Sequence, residues 1–359
     1  MSLLKNPSLP INSTILVTGA NGYLGSAIAS ALLTAGYRVR GTVRSAAQHA
    51  WLTSLLTRTH GGGRFELVSV PDMAAAGAFD GALKDVAGVI HVAAVFTLSP
   101  DAARVIPPIV EGNLSLLRSL AAAPGVRRVV LTSTAGTLPK ARKFDPTTPL
   151  TTEEWNEEEA ALAFAEGEAA ARLSEMQRGL AVYAAGKVRG EQAFWKYVRE
   201  EEVGWVANSG ESNGWNLRVV LPALVFGKPL SVEHQGFASS SNVPVQMLKG
   251  EEDEFTKALE RYYWVDIEDV AWLHVAALIN PELKNERIVG FSGQFSRNDV
   301  LGTFRKVFPG RDIPAHTPGL AANMAPIADY EKVNGLLKGV GKPGFKSLEE
   351  CLRTYVDVM

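Results

Sequence analysis

Short apolar, β-branched runs alternate with longer stretches of helical period through the first half of the chain. Ile15–Val17, Arg38–Val43, Arg64–Val70, Ala87–Ala94 and Val126–Ser133 read as five strands. Between them, Ser26–Ala35 reads as a helix ending at Gly36, and Glu111–Ala123 as a helix stopped by Pro124-Gly125. That alternation predicts a parallel sheet with crossover helices on both faces. Phe144–Ser174 breaks the rhythm: Pro146 and Pro149 lead into an acidic, alanine-rich stretch with Glu153, Glu154, Glu157, Glu158 and Glu159, expected to be a solvated helix or lid segment. A long helix is expected over Ala181–Glu202, then a Gly/Ser/Asn-rich loop at Asn208–Asn216 and a strand at Leu217–Leu221. Beyond Pro222 only Tyr262–Ile279 still resembles a sheet-associated strand and helix.

Composition narrows the setting without naming a function. At 359 residues and 46% hydrophobic, the chain can bury a large core, and wholesale disorder is excluded. A net charge of -2 offers no global attraction to nucleic acid or to an anionic membrane, so neither is expected as a partner. The single cysteine, Cys351, cannot form an internal disulfide. Met1–Ser13 lacks the basic start and long apolar core of a signal peptide, so a reducing, cytoplasmic setting is expected.

Thr18–Gly25 (TGANGYLG) follows the first strand and opens the first helix, with glycines at 19, 22 and 25. Gly19 permits the tight turn out of the strand, Gly22 lets backbone N–H groups approach a pyrophosphate, and Gly25 lets the helix pack closely. The helix N-terminus adds unpaired N–H donors and the positive end of its dipole. A bare glycine pattern is weak; the strand before it and the helix after it make it a dinucleotide site.

Two further features carry chemistry. Tyr183 and Lys187 stand four apart on a predicted helix and share a face, so an ammonium lies beside a phenol and favours its ionised form. That pairing suits general acid/base work on a carbonyl oxygen. The fifth strand ends in hydroxyls, Thr132-Ser133-Thr134, at its carboxyl end, where ligands bind in open parallel sheets. A hydroxyl there can donate to a carbonyl oxygen and share its developing charge.

Together these residues resemble the extended short-chain dehydrogenase/reductase superfamily, and within it the dihydroflavonol-reductase and fungal NADPH-dependent aldehyde/ketone-reductase group. The resemblance runs from about Ile15 to Leu278 and rests on Thr18–Gly25, His91–Ala94, Leu131–Thr134, Tyr183–Lys187, Leu221–Gly227 and Trp264–Ala271. It implies an α/β fold, a Rossmann-type doubly wound parallel sheet with a smaller C-terminal α/β substrate-binding lobe. The expected division is a cofactor domain over 13–226, completed by about 262–280, with 227–261 and 281–359 in the lobe. The implied catalytic set is Tyr183 as proton donor, Lys187 as its partner and ribose anchor, and a hydroxyl from Thr134 or Ser133. The family usually has two adjacent serines here, the second catalytic; alignment on the strand puts Thr134 in that slot and leaves Ser133 open. Gly186 stands where the family often has serine, a departure expected to alter cofactor contacts or the approach to substrate.

The resemblance also implies cofactor contacts from Gly19, Asn21, Gly22, Tyr23, Leu24 and Gly25, from Ala93 and Ala94, and from Pro222, Ala223 and Val225 walling a nicotinamide. Asp72 and Met73 would flank the adenine. Charge selects the dinucleotide. An NAD site would present Asp or Glu near the end of the second strand, whereas this strand ends in Arg44-Ser45, which can clasp a 2′-phosphate. NADP (NADPH) is therefore the expected cofactor. The remaining expectations are a small-molecule carbonyl substrate, a pocket drawing on Val95, Phe96 and Leu138, and a monomer or homodimer. His91 is expected to be core, His234 and His274 lack metal-like partners at suitable spacing, and Asp266, Glu268 and Asp269 read as an N-cap. Epimerases, dehydratases and dinucleotide-sensing regulators share this fold, but the regulators usually lack the Tyr/Lys pair.

Overall fold

The computed structural model describes residues 4, 6–94, 97–139, 147–209, 216–319 and 324–359. Its first half builds β1 (Thr14–Thr18), α1 (Tyr23–Thr34), β2 (Arg38–Val43), α2 (Ala50–His60), β3 (Phe65–Ser69), β4 (Gly88–His91), α3 (Ala102–Ala121) and β5 (Arg128–Thr132). Two short helices follow, α4 (Glu157–Leu162) and α5 (Gly167–Ala171), then the long α6 (Glu175–Ser209) and β6 (Asn216–Pro222). The acidic stretch is thus mainly α4 and α5, with three glutamates in the first turn of α4, where the helix dipole favours them.

The remainder comprises β7 (Leu224–Phe226), α7 (Val232–Gln235), α8 (Asn242–Lys249), α9 (Glu254–Ala258), β8 (Arg261–Asp266) and α10 (Ile267–Ile279). It ends with β9 (Glu286–Gly290), β10 (Gly293–Ser296), α11 (Arg297–Val307), α12 (Tyr330–Gly339) and α13 (Leu348–Arg353). Seven strands form one parallel sheet in the order β3-β2-β1-β4-β5-β6-β9. A second sheet of three strands, β10-β8-β7, lies beside it.

Successive residues of the central strands enter different cores, which is why both faces of the large sheet are covered. Ile15, Val17, Ile90, Val130 and Val220 pack with α1, α10 and α12. Leu16, Val89, Val129, Leu131 and Val219 pack with α3 and α6. A third core, built around Phe226, Trp264, Phe295 and Phe304, holds the small sheet to α8, α11 and α13.

Several expectations change. Glu286–Gly290, expected in the lobe, pairs with β6 in the large sheet, while Arg261–Asp266, expected to complete the cofactor domain, belongs to the small one. Chain proximity misled here, because α10 carries the chain back across the large sheet before β9. α3 begins at Ala102, not Glu111, although it contains Pro107 and Pro108. Asp101 caps it by accepting from the Arg104 N–H at 3.0 Å, and buried Val105, Ile106 and Ile109 hold the proline-bearing turn. Asp266 caps α10 as expected, accepting from the Glu268 and Asp269 N–H groups.

Candidate active site

The order of the large sheet reverses direction between β1 and β4, and there the carboxyl ends of the strands part. A cleft of about 1120 Å³ opens at that point and runs to the small sheet. Thr18 lies buried behind the cleft wall formed by Val92 and Ala93: its Oγ1 accepts from their N–H groups, both at 3.0 Å, and meets His91 Nδ1 at 2.8 Å. Burial pushes the His91 pKa down to about 4, so the ring is neutral. Its Nε2 bonds Asn113 Oδ1 at 3.1 Å, and Asn113 donates to the Gly190 carbonyl at 3.1 Å. His91 is a buried spacer between β1, α3 and α6.

The glycine loop lines one end of the cleft. Gly19 has φ +65°, and a Cβ there would come 3.1 Å from Ala93 Cα. A Cβ on Gly25 would lie 2.2 Å from the Gly19 carbonyl oxygen, so only glycine lets α1 start this close to the turn. Gly22 is the N-cap of α1 without a side chain to cap it, and the first turn carries no acidic residue. The leading N–H groups of that helix are left for an anion. Arg44 is exposed on the same cleft and makes no ion pair among the described residues. Asp72, Met73, Ala93, Ala94, Pro222, Ala223 and Val225 complete this wall. Uncapped helix donors, a loop without Cβ atoms and an unpaired guanidinium fit a phosphorylated dinucleotide.

Tyr183 and Lys187 are half-buried on α6 and face the middle of the cleft. The Lys187 ammonium donates to the Thr132 carbonyl at 3.2 Å. Burial lowers its pKa to about 8, against the opposing pull of the Glu191 carboxylate.

The three hydroxyls that end β5 have different fates. Thr132 Oγ1 pairs with His274 Nε2 at 2.9 Å; that ring is neutral and uses its Nδ1 on the Val270 carbonyl at 2.7 Å. Ser133 is buried and donates to Glu191 Oε2 at 2.7 Å. Thr134, half-buried on the cleft, only accepts a long bond of 3.4 Å from the Gly136 N–H. Among the described residues its hydroxyl proton has no acceptor.

Other expected residues fall elsewhere. Leu138 is fully buried in the core, because the turn after Thr134 folds it inward, and it does not line this cleft. Ser45 follows Arg44 outside the cleft wall. Val95 and Phe96 lie outside the described residues. Gly186 does not face the cofactor wall: a Cβ there would meet Ile109 Cδ1 at 2.7 Å, so its role is the close contact of α6 with α3. Sequence reasoning missed Met176 and Leu180, which line the cleft beside Tyr183. Their spacing, i, i+4 and i+7 on one helix, was the available signal.

The family profile that matches, over residues 15–289, is the NAD dependent epimerase/dehydratase family. The chain belongs to this family. Among its relatives in the family, aldehyde reductase 2 of Sporidiobolus salmonicolor is 34% identical over 99% of this chain and 98% of its own. The ketoreductase adrE of Penicillium rubens is 33% identical over 98% of each chain. Of solved family structures, Gre2 from Candida albicans in complex with NADPH superposes with a TM-score of 0.77 at 25% identity, over 97% of this chain and 98% of that one.

The pKa of Lys187 can be measured apart from any activity. After reductive ¹³C-methylation of the free protein, one lysine resonance should titrate near pH 8 and be missing from Lys187→Arg. Titration of the Lys187 resonance at the ordinary value, near 10.4, would contradict this burial.

Proposed function

We propose that this protein is an NADPH-dependent carbonyl reductase, converting an aldehyde or ketone to an alcohol, with Tyr183, Lys187 and Thr134 as its catalytic residues. The observation that carries the assignment is the Thr134 proton, uncommitted among the described residues, on the same cleft as Tyr183 and Lys187 and next to a dinucleotide cradle. When bound, NADPH supplies the hydride for the carbonyl carbon. Thr134 donates a hydrogen bond to the carbonyl oxygen and shares its developing charge. Tyr183 transfers its phenolic proton to that oxygen, and the Lys187 ammonium stabilises the phenolate left behind until solvent reprotonates it. Ser133, with its proton on Glu191, is not needed for this step.

The body around the large sheet holds the cofactor in this reading, and the small-sheet lobe supplies the substrate wall. Leu224, Val243, Phe255 and Tyr262 make that wall largely apolar. Arg44 and Lys187 are the cationic residues on the cleft, and both serve the cofactor. No further cation lines it, among the described residues, for the second pyrophosphate that a sugar-nucleotide substrate would bring. The buried Cys351 supports a cytoplasmic location, and no helix among the described residues is long and apolar enough to cross a membrane. A monomer or homodimer is compatible with a cleft formed within one chain.

Benzaldehyde, ethyl acetoacetate and cyclohexanone, scored by NADPH consumption, give a first substrate panel. Against the best of them, Tyr183→Phe should abolish measurable turnover while NADPH still binds. Thr134→Ala should lower kcat by about 10²–10³, the loss typical of one oxyanion donor. Wild-type rates for Tyr183→Phe would overturn the mechanism.

Arg44 is tested separately. Arg44→Ala should raise the KM for NADPH about 10–100-fold, equivalent to charged hydrogen bonds worth roughly 1.5–3 kcal/mol, and leave the KM for NADH nearly unchanged. An equal loss with both cofactors would show that the guanidinium does not read the 2′-phosphate.

A further inference from the structure

A buried ion pair lies directly behind the active site. Glu191 stands one helical turn beyond Lys187 and is 1% exposed; Arg287, on β9, is 9% exposed. The Glu191 carboxylate accepts from Arg287 Nε at 2.7 Å, from Ser133 Oγ at 2.7 Å and from Trp195 Nε1 at 3.3 Å. Arg287 donates in turn to the carbonyls of Thr152 and Glu154, at 2.9 and 2.7 Å, and to Thr137 Oγ1 at 3.0 Å. Its guanidinium also lies over the Trp155 ring, 5.0 Å from the centroid. Thr137 then donates to the carbonyl of Thr134 at 2.8 Å. Neither Glu191 nor Arg287 lines the cleft.

Against an apolar pair of the same volume, a buried ion pair adds little net stability, because desolvation offsets its attraction. What this one supplies is position and charge. We propose that Glu191 and Arg287 are positioning residues for carbonyl reduction. Glu191 draws the Ser133 proton away from the cleft and keeps a negative charge beside Lys187. Arg287, through Thr137, fixes the turn that presents Thr134. The inference rests on the assignment of Tyr183, Lys187 and Thr134 made above.

The groups around Lys187 make its ammonium the sensitive readout. Tyr183 and Glu191 face it from its own helix and the Thr132 carbonyl from β5; His91, on β4, is kept neutral by burial. Glu191 is the carboxylate that opposes the loss of the Lys187 proton. Removing its charge should therefore lower the pH at which Lys187 deprotonates.

The test uses the full-length enzyme, NADPH and the best substrate of the panel. Glu191→Gln should lower kcat about 10–100-fold, the scale of an ångström-sized misplacement, with the KM for NADPH little changed. It should also move the alkaline limb of kcat/KM, expected near pH 8 in the wild type, to lower pH. Should Glu191→Gln fail to fold, the double variant Glu191→Leu/Arg287→Met decides, since it refills the space without charge and should show the lowered kcat with a smaller downward move of the limb, because the Arg287 charge is lost with that of Glu191. A folded variant of either kind with wild-type kcat and an unmoved limb would overturn the proposal. Tyr183→Phe separates the two readings: if it is inactive while Glu191→Gln behaves as wild type, only the positioning role fails. If Tyr183→Phe is active, the site assignment fails first.

Discussion

Thr18 is where the two central strands of the sheet are held together and also where they must part. Its hydroxyl takes both N–H groups of Val92 and Ala93, so the backbone leaving β4 is bound to the end of β1. Beyond that tie the chain goes one way into the glycine loop and the other way toward α3. The cleft exists because those paths diverge, and behind its wall the hydroxyl satisfies two half-buried backbone donors. The glycine loop packs against the same point: Gly19 has no space for a Cβ beside Ala93, and Gly25 none beside Gly19. Dinucleotide binding and the central core are thus one construction.

Proton bookkeeping around β5 decides the chemistry. Three consecutive hydroxyls reach the carboxyl end of this strand, and two are consumed by buried partners, His274 and Glu191. All three line the cleft, but among the described residues only Thr134 keeps its proton uncommitted. The adjacent α6 delivers Tyr183 and Lys187 to the same opening because Gly186 and Gly190 let it pack closely on α3, where a Cβ would meet Ile109 and Asn113. Helix packing, not a direct cofactor contact, is therefore what glycine at 186 serves.

Local patterns were legible in the sequence, and long-range ones were not. The glycine loop, the Tyr183/Lys187 pair and the Arg44 strand end are each read within a few residues, and the cleft brings all of them together. Leu138 was misplaced because the turn after Thr134 folds it into the core. β9 was misassigned because its partner, β6, is separated from it by β7, β8 and α10. The Glu191–Arg287 pair joins residues 96 positions apart, so no window along the chain could disclose it. Alignment favoured Thr134 but left Ser133 open for the same reason: the group that distinguishes them, Glu191, approaches from α6.

Carbonyl reduction at this site requires Tyr183 and Thr134 to converge on a single carbonyl oxygen while Ser133 stays behind on Glu191. A crystal structure of the ternary complex with NADP⁺ and an unreacted carbonyl compound tests it most directly. That oxygen should lie within about 2.6–3.2 Å of both Tyr183 Oη and Thr134 Oγ1, with the Ser133–Glu191 bond intact. A carbonyl oxygen bound by Ser133, or held away from Tyr183, would contradict it.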